Sequence, residues 1–229
     1  GPESLRHFKR TYKEALKRSI ASGVYNPAIP IIVPQREDRR FRSWNETLEP
    51  VANAVIIYMM DVSGSMGDEQ KEIVRTESFW LDAWIRAHYQ GVRTVYIVHD
   101  AAAKEVDRDS FFRIRESGGT VISSAYELAA RIVEERFPAQ DWNLSFFHFT
   151  DGENYSRQDS DRSADLVADK LLPALNLFGY GQVEALGTRG DFYDVLRTRF
   201  EADARVALSR LPDRDSVVDS IKSFLGRGL

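Results

Sequence analysis

From residue 51 onward the chain alternates continuous apolar runs with amphipathic stretches. After Asn53, "NAVIIYMM" (53–60) has no charged residue, the pattern of a strand covered on both faces. "RTVYIVHD", "WNLSFFHF", "NLFGYGQVEAL" and "ARVALSRL" read as further strands, and "AKEVDRDSFF" as a short edge segment. Between them, residues 68–89 have helical spacing, with Ile73, Trp80, Trp84 and His88 on one side; the two tryptophans are expected in the core. "SSAYELAARIVEERF" reads as a helix opened by serines, with Glu127 three residues after Ser124 as in a capping box. "SADLVADKLLPAL", "GDFYDVLRTRF" and "DSVVDSIKSFL" supply the remaining helices. Strands alternating with helices of this length predict an α/β fold around a mostly parallel sheet with helices on both faces.

The first fifty residues have a different pattern. Over 3–21, Leu5, Phe8, Tyr12, Leu16 and Ile20 recur at steps of three and four. They make one apolar stripe on a helix whose other face is Arg and Lys, suited to packing on the domain or on a partner. Gly23 ends this helix. "NPAIPIIVP" has three prolines in nine residues and reads as an extended strap. "QREDRRFRSW" reads as a solvated charged loop. The predicted organisation is an N-terminal basic helix and strap over 1–50 and one α/β domain over 51–229.

Composition narrows the function. With 229 residues and 43% hydrophobic content the chain can bury a sizeable core. It has no cysteine, which excludes disulfides, thiolate metal sites and cysteine nucleophiles and fits a cytoplasmic protein. No apolar run approaches the roughly 18 residues of a membrane span, and no signal-peptide core is visible. Gly1-Pro2 resembles a protease scar, so the natural chain is expected to begin earlier. The net charge of −4 gives no general case for nucleic acid. Residues 1–22, however, carry six Lys/Arg against two Glu. They form a basic arm on an acidic body, a pattern for a partner surface.

Ligands of α/β sheets bind beyond the carboxyl ends of the strands, and the polar residues of interest fall there. Asp61, Ser63 and Ser65 follow the first strand in "DVSGSM". Thr120 follows two glycines in "ESGGTVISS". Asp151 opens "DGEN" after the strand "WNLSFFHFT". Two carboxylates and three hydroxyls are hard oxygen donors that suit Mg²⁺, Mn²⁺ or Ca²⁺ and not Zn²⁺. An EF-hand reading fails, because Met66 stands where its loop needs glycine and a strand precedes it. No phosphate-binding Gly-rich loop ends in Lys-Ser or Lys-Thr. Asp100, Glu116 and Glu153 are candidates to support the ion from behind its ligands. Turn residues (Asp100, Glu153) and an ion pair with Arg113 or Arg115 (Glu116) are their simpler readings. His148 is expected in the core, and His99 beside Asp100 is the nearest approach to an acid–base pair.

Together, "DVSGSM", "GGT" and "TDGEN", each after a strand, resemble the metal-ion-dependent adhesion site of von Willebrand factor type A domains. The resemblance implies a Rossmann-like fold over roughly 51–229. In it Ser63, Ser65 and Thr120 would offer hydroxyls to the ion, Asp61 and Asp151 would hold it directly or through water, and a partner's Glu or Asp would complete the shell. The wider stretches "FKRTYKEALKRSIASGVYNP", "RFRSW", "NAVIIYMMDVSGSMGDEQKEIVR", "AKEVDRDSFFRIRESGGTVISSAYELA" and "GYGQVE" resemble the bacterial YeaH/YhbH family of stress- and sporulation-associated proteins. That resemblance implies a longer polar N-terminus and a link to a PrkA-type serine kinase with an AAA+ module. The expected function is a cytoplasmic, non-enzymatic module that captures an acidic side chain of a protein partner through a divalent ion. The alternatives are a Mg²⁺-dependent phosphoryl hydrolase or transferase, and a regulatory subunit of an AAA+ kinase acting through the basic arm.

Overall fold

Helix α1 (Phe8–Ala21) opens the first of two units into which the chain divides, Gly1–Pro50 and Val51–Leu229. The structure, a computed structural model, describes residues 5–41, 53–89, 91–114, 118–184 and 190–226. In the first unit the chain returns along α1 after the proline-rich strap. His7 N donates to Arg40 O at 2.7 Å, and Thr11 Oγ1 accepts from Arg40 N at 3.0 Å. The helix buries its small residues Thr11, Ala15 and Ser19, whose short side chains let the returning backbone approach. Two expectations change here. The helix begins at Phe8 and not at residue 3. Its stripe residues Phe8, Tyr12 and Ile20 are exposed, with the Arg6 guanidinium over the Phe8 ring at 4.9 Å. The charged loop is also more structured than its composition suggests. Asp38 is buried, receives Arg18 Nε and Nη2 at 2.9–3.1 Å, and accepts from Gln35 N at 2.8 Å. The Arg18 guanidinium holds the Asp38 carboxyl below its ordinary range.

The second unit runs β1 (Asn53–Asp61), α2 (Asp68–His88), β2 (Arg93–His99), β3 (Ala103–Val106), α3 (Arg108–Arg113), α4 (Ile122–Arg136), β4 (Trp142–Thr150), α5 (Arg157–Leu166), β5 (Leu177–Val183), α6 (Phe192–Phe200), β6 (Val206–Leu211) and α7 (Val217–Leu225). A π-helical turn, Val167–Leu171, extends α5. The six strands form one sheet in the order β3-β2-β1-β4-β5-β6. Every pairing is parallel except that of the edge strand β3 with β2. The alternation of side chains along β1 explains its continuous apolar run. Val55, Ile57 and Met59 pack with Tyr126 of α4, Ala164 of α5 and Leu196 of α6. Ile56, Tyr58 and Met60 pack with Ile73 and Leu81 of α2, Phe111 of α3 and Phe224 of α7.

The face of α2 differs from expectation. Its buried residues are Gln70, Lys71, Ile73, Val74, Glu77, Ser78, Leu81, Asp82 and Ile85. Trp80 is 57% exposed, and Trp84 is half-buried and stacked on His88. Five polar side chains are buried on this helix, and three of them, Glu77, Ser78 and Asp82, interrupt the inner apolar positions, which displaced the apolar signal by about one position. The capping box is not formed either. Ser124 Oγ donates to Val121 O, and Glu127 pairs with Arg162 across the surface. The first amides of α4 are instead met from the loop after β4 and the first turn of α5: Ile122 N donates to Asn154 Oδ1 at 3.2 Å and Ser123 N to Asp159 Oδ2 at 3.1 Å. No helix among the described residues is long and apolar enough to cross a membrane.

Candidate functional site

The strand order reverses its direction of winding between β1 and β4, and a crevice opens there beyond their carboxyl ends. Asp61 ends β1 and Asp151 follows β4, so the two carboxylates flank this point. Asp61 is fully buried. Its Oδ1 accepts from Ser63 N at 2.8 Å, which folds the loop back on itself, and its Oδ2 accepts from Thr150 Oγ1 at 2.6 Å. That turn brings the Ser63 and Ser65 hydroxyls within 3.2 Å of each other. Adjacent corners of an octahedron with bonds of about 2.1 Å lie about 3.0 Å apart, so the pair has the spacing of neighbouring ligands on one small cation.

The second carboxylate is held differently. Gly152 has φ +76°, a left-handed conformation that glycine adopts without strain, and a Cβ there would meet the Gln182 side chain at 2.2 Å. This turn lets Glu153 N donate to Asp151 Oδ1 at 2.9 Å. Asp151 is 2% exposed, and its Oδ2 has no hydrogen-bond partner. Burial pushes its carboxyl up to about 6; the neighbouring Ser65 hydroxyl opposes the rise and the Asp61 charge adds to it. A buried carboxylate oxygen without a donor is costly unless a cation meets it.

Backbone bonds carry the third loop to the other two. Gly64 N donates to Gly118 O at 3.0 Å, Val121 N to Asp100 O at 2.9 Å, and Tyr155 N to Thr120 O at 2.9 Å. Thr120 and Ser65 thereby line one cleft of about 230 Å³, with Gly118, Glu153, Asn154 and Tyr155. The side chain of Asp100 is a turn residue, its Oδ1 accepting from Ala102 N at 3.1 Å. It also braces the glycine loop, since a Cβ on Gly118 would meet Asp100 Oδ2 at 2.6 Å. Glu153 lines the cleft, whereas Glu116 lies outside the described residues. Among the described residues no group of three or more His, Asp or Glu forms a metal site of its own. An ion here would depend on the hydroxyls as well as the two aspartates. The donor set, the spacing of the serines and the unpartnered Asp151 Oδ2 fit a hard divalent cation.

Two residues near the site, Thr150 and Lys71, were not singled out by the sequence, and Asn154, near Asp151, has the structural role that a turn residue there suggests. Thr150 clamps Asp61 and also accepts from Gly152 N at 3.1 Å. Asn154 caps α4 and donates to Ser160 Oγ at 3.2 Å. Lys71, in the first turns of α2, is only 6% exposed; burial lowers its ammonium pKa, and the Asp61 charge opposes that fall. Beneath the site His148 is buried between Tyr126 OH at 2.7 Å and His99 Nε2 at 2.9 Å. His99 is thus turned into the core and does not form an acid–base couple with Asp100.

Over residues 6–228 the sequence matches the family described as "Protein of unknown function (DUF444)". The chain belongs to the DUF444 family. It is 41% identical over 216 residues to a UPF0229 protein of Shouchella clausii, covering 94% of this chain and 53% of that one. A UPF0229 protein of Oceanobacillus iheyensis is 36% identical with the same coverage. The chain spans about half the length of the curated relatives it matches. Among solved structures it is similar to a von Willebrand factor type A protein from Catenulispora acidiphila, with a TM-score of 0.57 and 17% identity over 77% of this chain and 43% of that one. It is also similar to BatB from Bacteroides thetaiotaomicron, with a TM-score of 0.51 and 14% identity over 76% and 98%. This DUF444 chain therefore has the von Willebrand factor type A fold, as the resemblance in its sequence implied.

Proposed function

We propose that this chain is a protein-binding module that captures an acidic side chain of its partner through a divalent cation, Mg²⁺ in the cell, held by Asp61, Ser63, Ser65, Thr120 and Asp151. The observation that carries the reading is the unpartnered, buried Asp151 Oδ2 beside two serine hydroxyls 3.2 Å apart at the sheet's switch point. A divalent ion there supplies a positive centre that accepts a carboxylate oxygen from outside. The chain's own residues set the geometry: Thr150 and Ser63 N fix Asp61, Glu153 N fixes one oxygen of Asp151, and the Gly118 loop sets where Thr120 stands. Membership of a bacterial stress or sporulation pathway and a PrkA-type kinase as the partner rest on the family resemblance alone.

A phosphoryl-transfer site is the less favoured reading of the same donors. The described lining of the cleft contains no Lys or Arg to clamp phosphate oxygens, and it contains Glu153, which repels them. Titration with Mn²⁺ followed by electron paramagnetic resonance tests the proposal. Wild type is expected to bind a single ion per chain, and Asp61→Ala to lose that binding with its circular dichroism intact. An Asp61→Ala chain that is unfolded would make the site structural. Mn²⁺-dependent turnover of p-nitrophenyl phosphate would favour the enzymatic reading.

A further inference from the structure

The cleft that contains Ser65 and Thr120 has a second half. Glu153 and Tyr155 line it from the loop after β4, and their positions are fixed by the backbone: Glu153 N is tied to Asp151 and Tyr155 N to Thr120 O. Glu153 forms no ion pair with any described residue. Tyr155 is 82% exposed and stacks on no other described ring. Among the described residues, an exposed tyrosine without a ring partner and a carboxylate without an ion pair thus line one cleft, and Glu153 is close in the chain to Asp151, whose Oδ2 is buried and unpartnered.

Charge decides what such a cleft prefers. With a divalent cation bound, the charges of Asp61 and Asp151 are balanced and Glu153 remains. A partner carboxylate approaching the ion then meets a like charge at close range, which disfavours an acidic residue presented alone or among other acids. A guanidinium or ammonium next to the incoming carboxylate reverses the sign of that interaction. It pairs with Glu153 and can lie over the Tyr155 ring, which attracts cations through its face.

We infer that the segment captured by this site is zwitterionic: an Asp or Glu that goes to the ion, with an Arg or Lys beside it that is read by Glu153 and Tyr155. This rests on the metal-dependent capture proposed above. Glu153 and Tyr155 are the specificity-determining residues of that surface.

The test uses three fluorescein-labelled peptides that share one central Asp in a Gly-Ser background, with an adjacent Arg, an adjacent Gly or an adjacent Glu. Each is titrated with the whole chain in Mg²⁺ and in EDTA, and polarisation is read. The Arg peptide is expected to bind about fivefold more tightly than the Gly peptide, as an exposed ion pair and a cation–π contact together allow. The Glu peptide is expected to bind weakest, and all binding is lost in EDTA. In Glu153→Gln the Arg-over-Gly ratio falls toward one, and Tyr155→Ala lowers it part-way. Equal Mg²⁺-dependent binding of the Arg and Gly peptides to wild type overturns the inference and leaves metal-dependent capture standing. Absence of Mg²⁺-dependent binding by all three overturns both. A tenfold loss of Mg²⁺ affinity in Glu153→Gln, read by calorimetry without peptide, also overturns the inference, because Glu153 would then serve the ion and not the partner.

Discussion

At the scale of single residues, the site combines one carboxylate that is satisfied and one that is not. Asp61 has both oxygens engaged by neighbours, whereas Asp151 keeps one buried oxygen without a donor. Lifting a carboxyl from 3.8 to about 6 disfavours the anion by about 3 kcal/mol. Asp151→Asn retains an oxygen to accept from Glu153 N and removes the buried charge. In a thermal melt at neutral pH without metal, this variant is expected to unfold several degrees above wild type and to gain nothing from Mg²⁺. A lower melting temperature without metal would mean that Asp151 has a favourable partner in the free chain. Asp61 ends β1, Ser63 and Ser65 follow it and Asp151 follows β4, as their short motifs suggested, whereas Thr120 was expected after a strand and lies instead between α3 and α4. Thr150 and Lys71 were not legible, since nothing in a linear chain says that β4 pairs beside β1 or that the first turns of α2 pass Asp61.

Between elements, the contact of α2 with α7 is the least expected feature. Glu77 is fully buried on the inner face of α2, and its Oε1 accepts from Ser220 Oγ of α7 at 2.5 Å. Burial pushes the Glu77 carboxyl up to about 8, with the Ser220 hydroxyl opposing the rise. The folded value lies above the unfolded one, so the unfolded chain releases its proton first as pH rises. Stability from this group is therefore intact below about pH 4.5, falls as pH rises toward 8, and levels off above it, by at most about 5 kcal/mol. Glu77→Gln keeps an oxygen for Ser220 and lacks this slope. Urea unfolding at pH 5, 6.5 and 8 is expected to show the variant gaining on wild type with each step, and parallel profiles would contradict the assignment. Period alone located α2 but misjudged its face. Trp80 suggested burial by size, whereas polar residues occupy the inner positions: Glu77 with a hydrogen bond from Ser220, Asp82 with an ion pair to Arg86, and Ser78 with its hydroxyl buried without a partner among the described residues. The strands were easier to read, since side chains alternate between two covered faces and leave unbroken apolar runs.

For the whole molecule, charge is divided as the elements are. Residues 1–22 are basic and the remainder is acidic. The basic helix keeps Phe8, Tyr12 and Ile20 exposed, while the proposed ion site is built entirely from residues of the second unit. Deleting residues 1–22 is therefore expected to leave Mn²⁺ binding within about twofold of wild type, as measured by electron paramagnetic resonance; loss of the ion with the arm would join two functions that are separate in this account. The alternating pattern made the α/β class and the sheet legible. It did not reveal the return of the strap along α1, which depends on Arg18 meeting Asp38 twenty residues away. The divalent cation proposed above would sit between the ends of β1 and β4. The most direct measurement is an anomalous difference map from a crystal of the whole chain soaked in Mn²⁺. A single strong peak touching the Ser63 and Ser65 hydroxyls and Asp151 Oδ2 is the expected result. A map with no peak there at saturating Mn²⁺, the aspartates and serines ordered, would contradict the account.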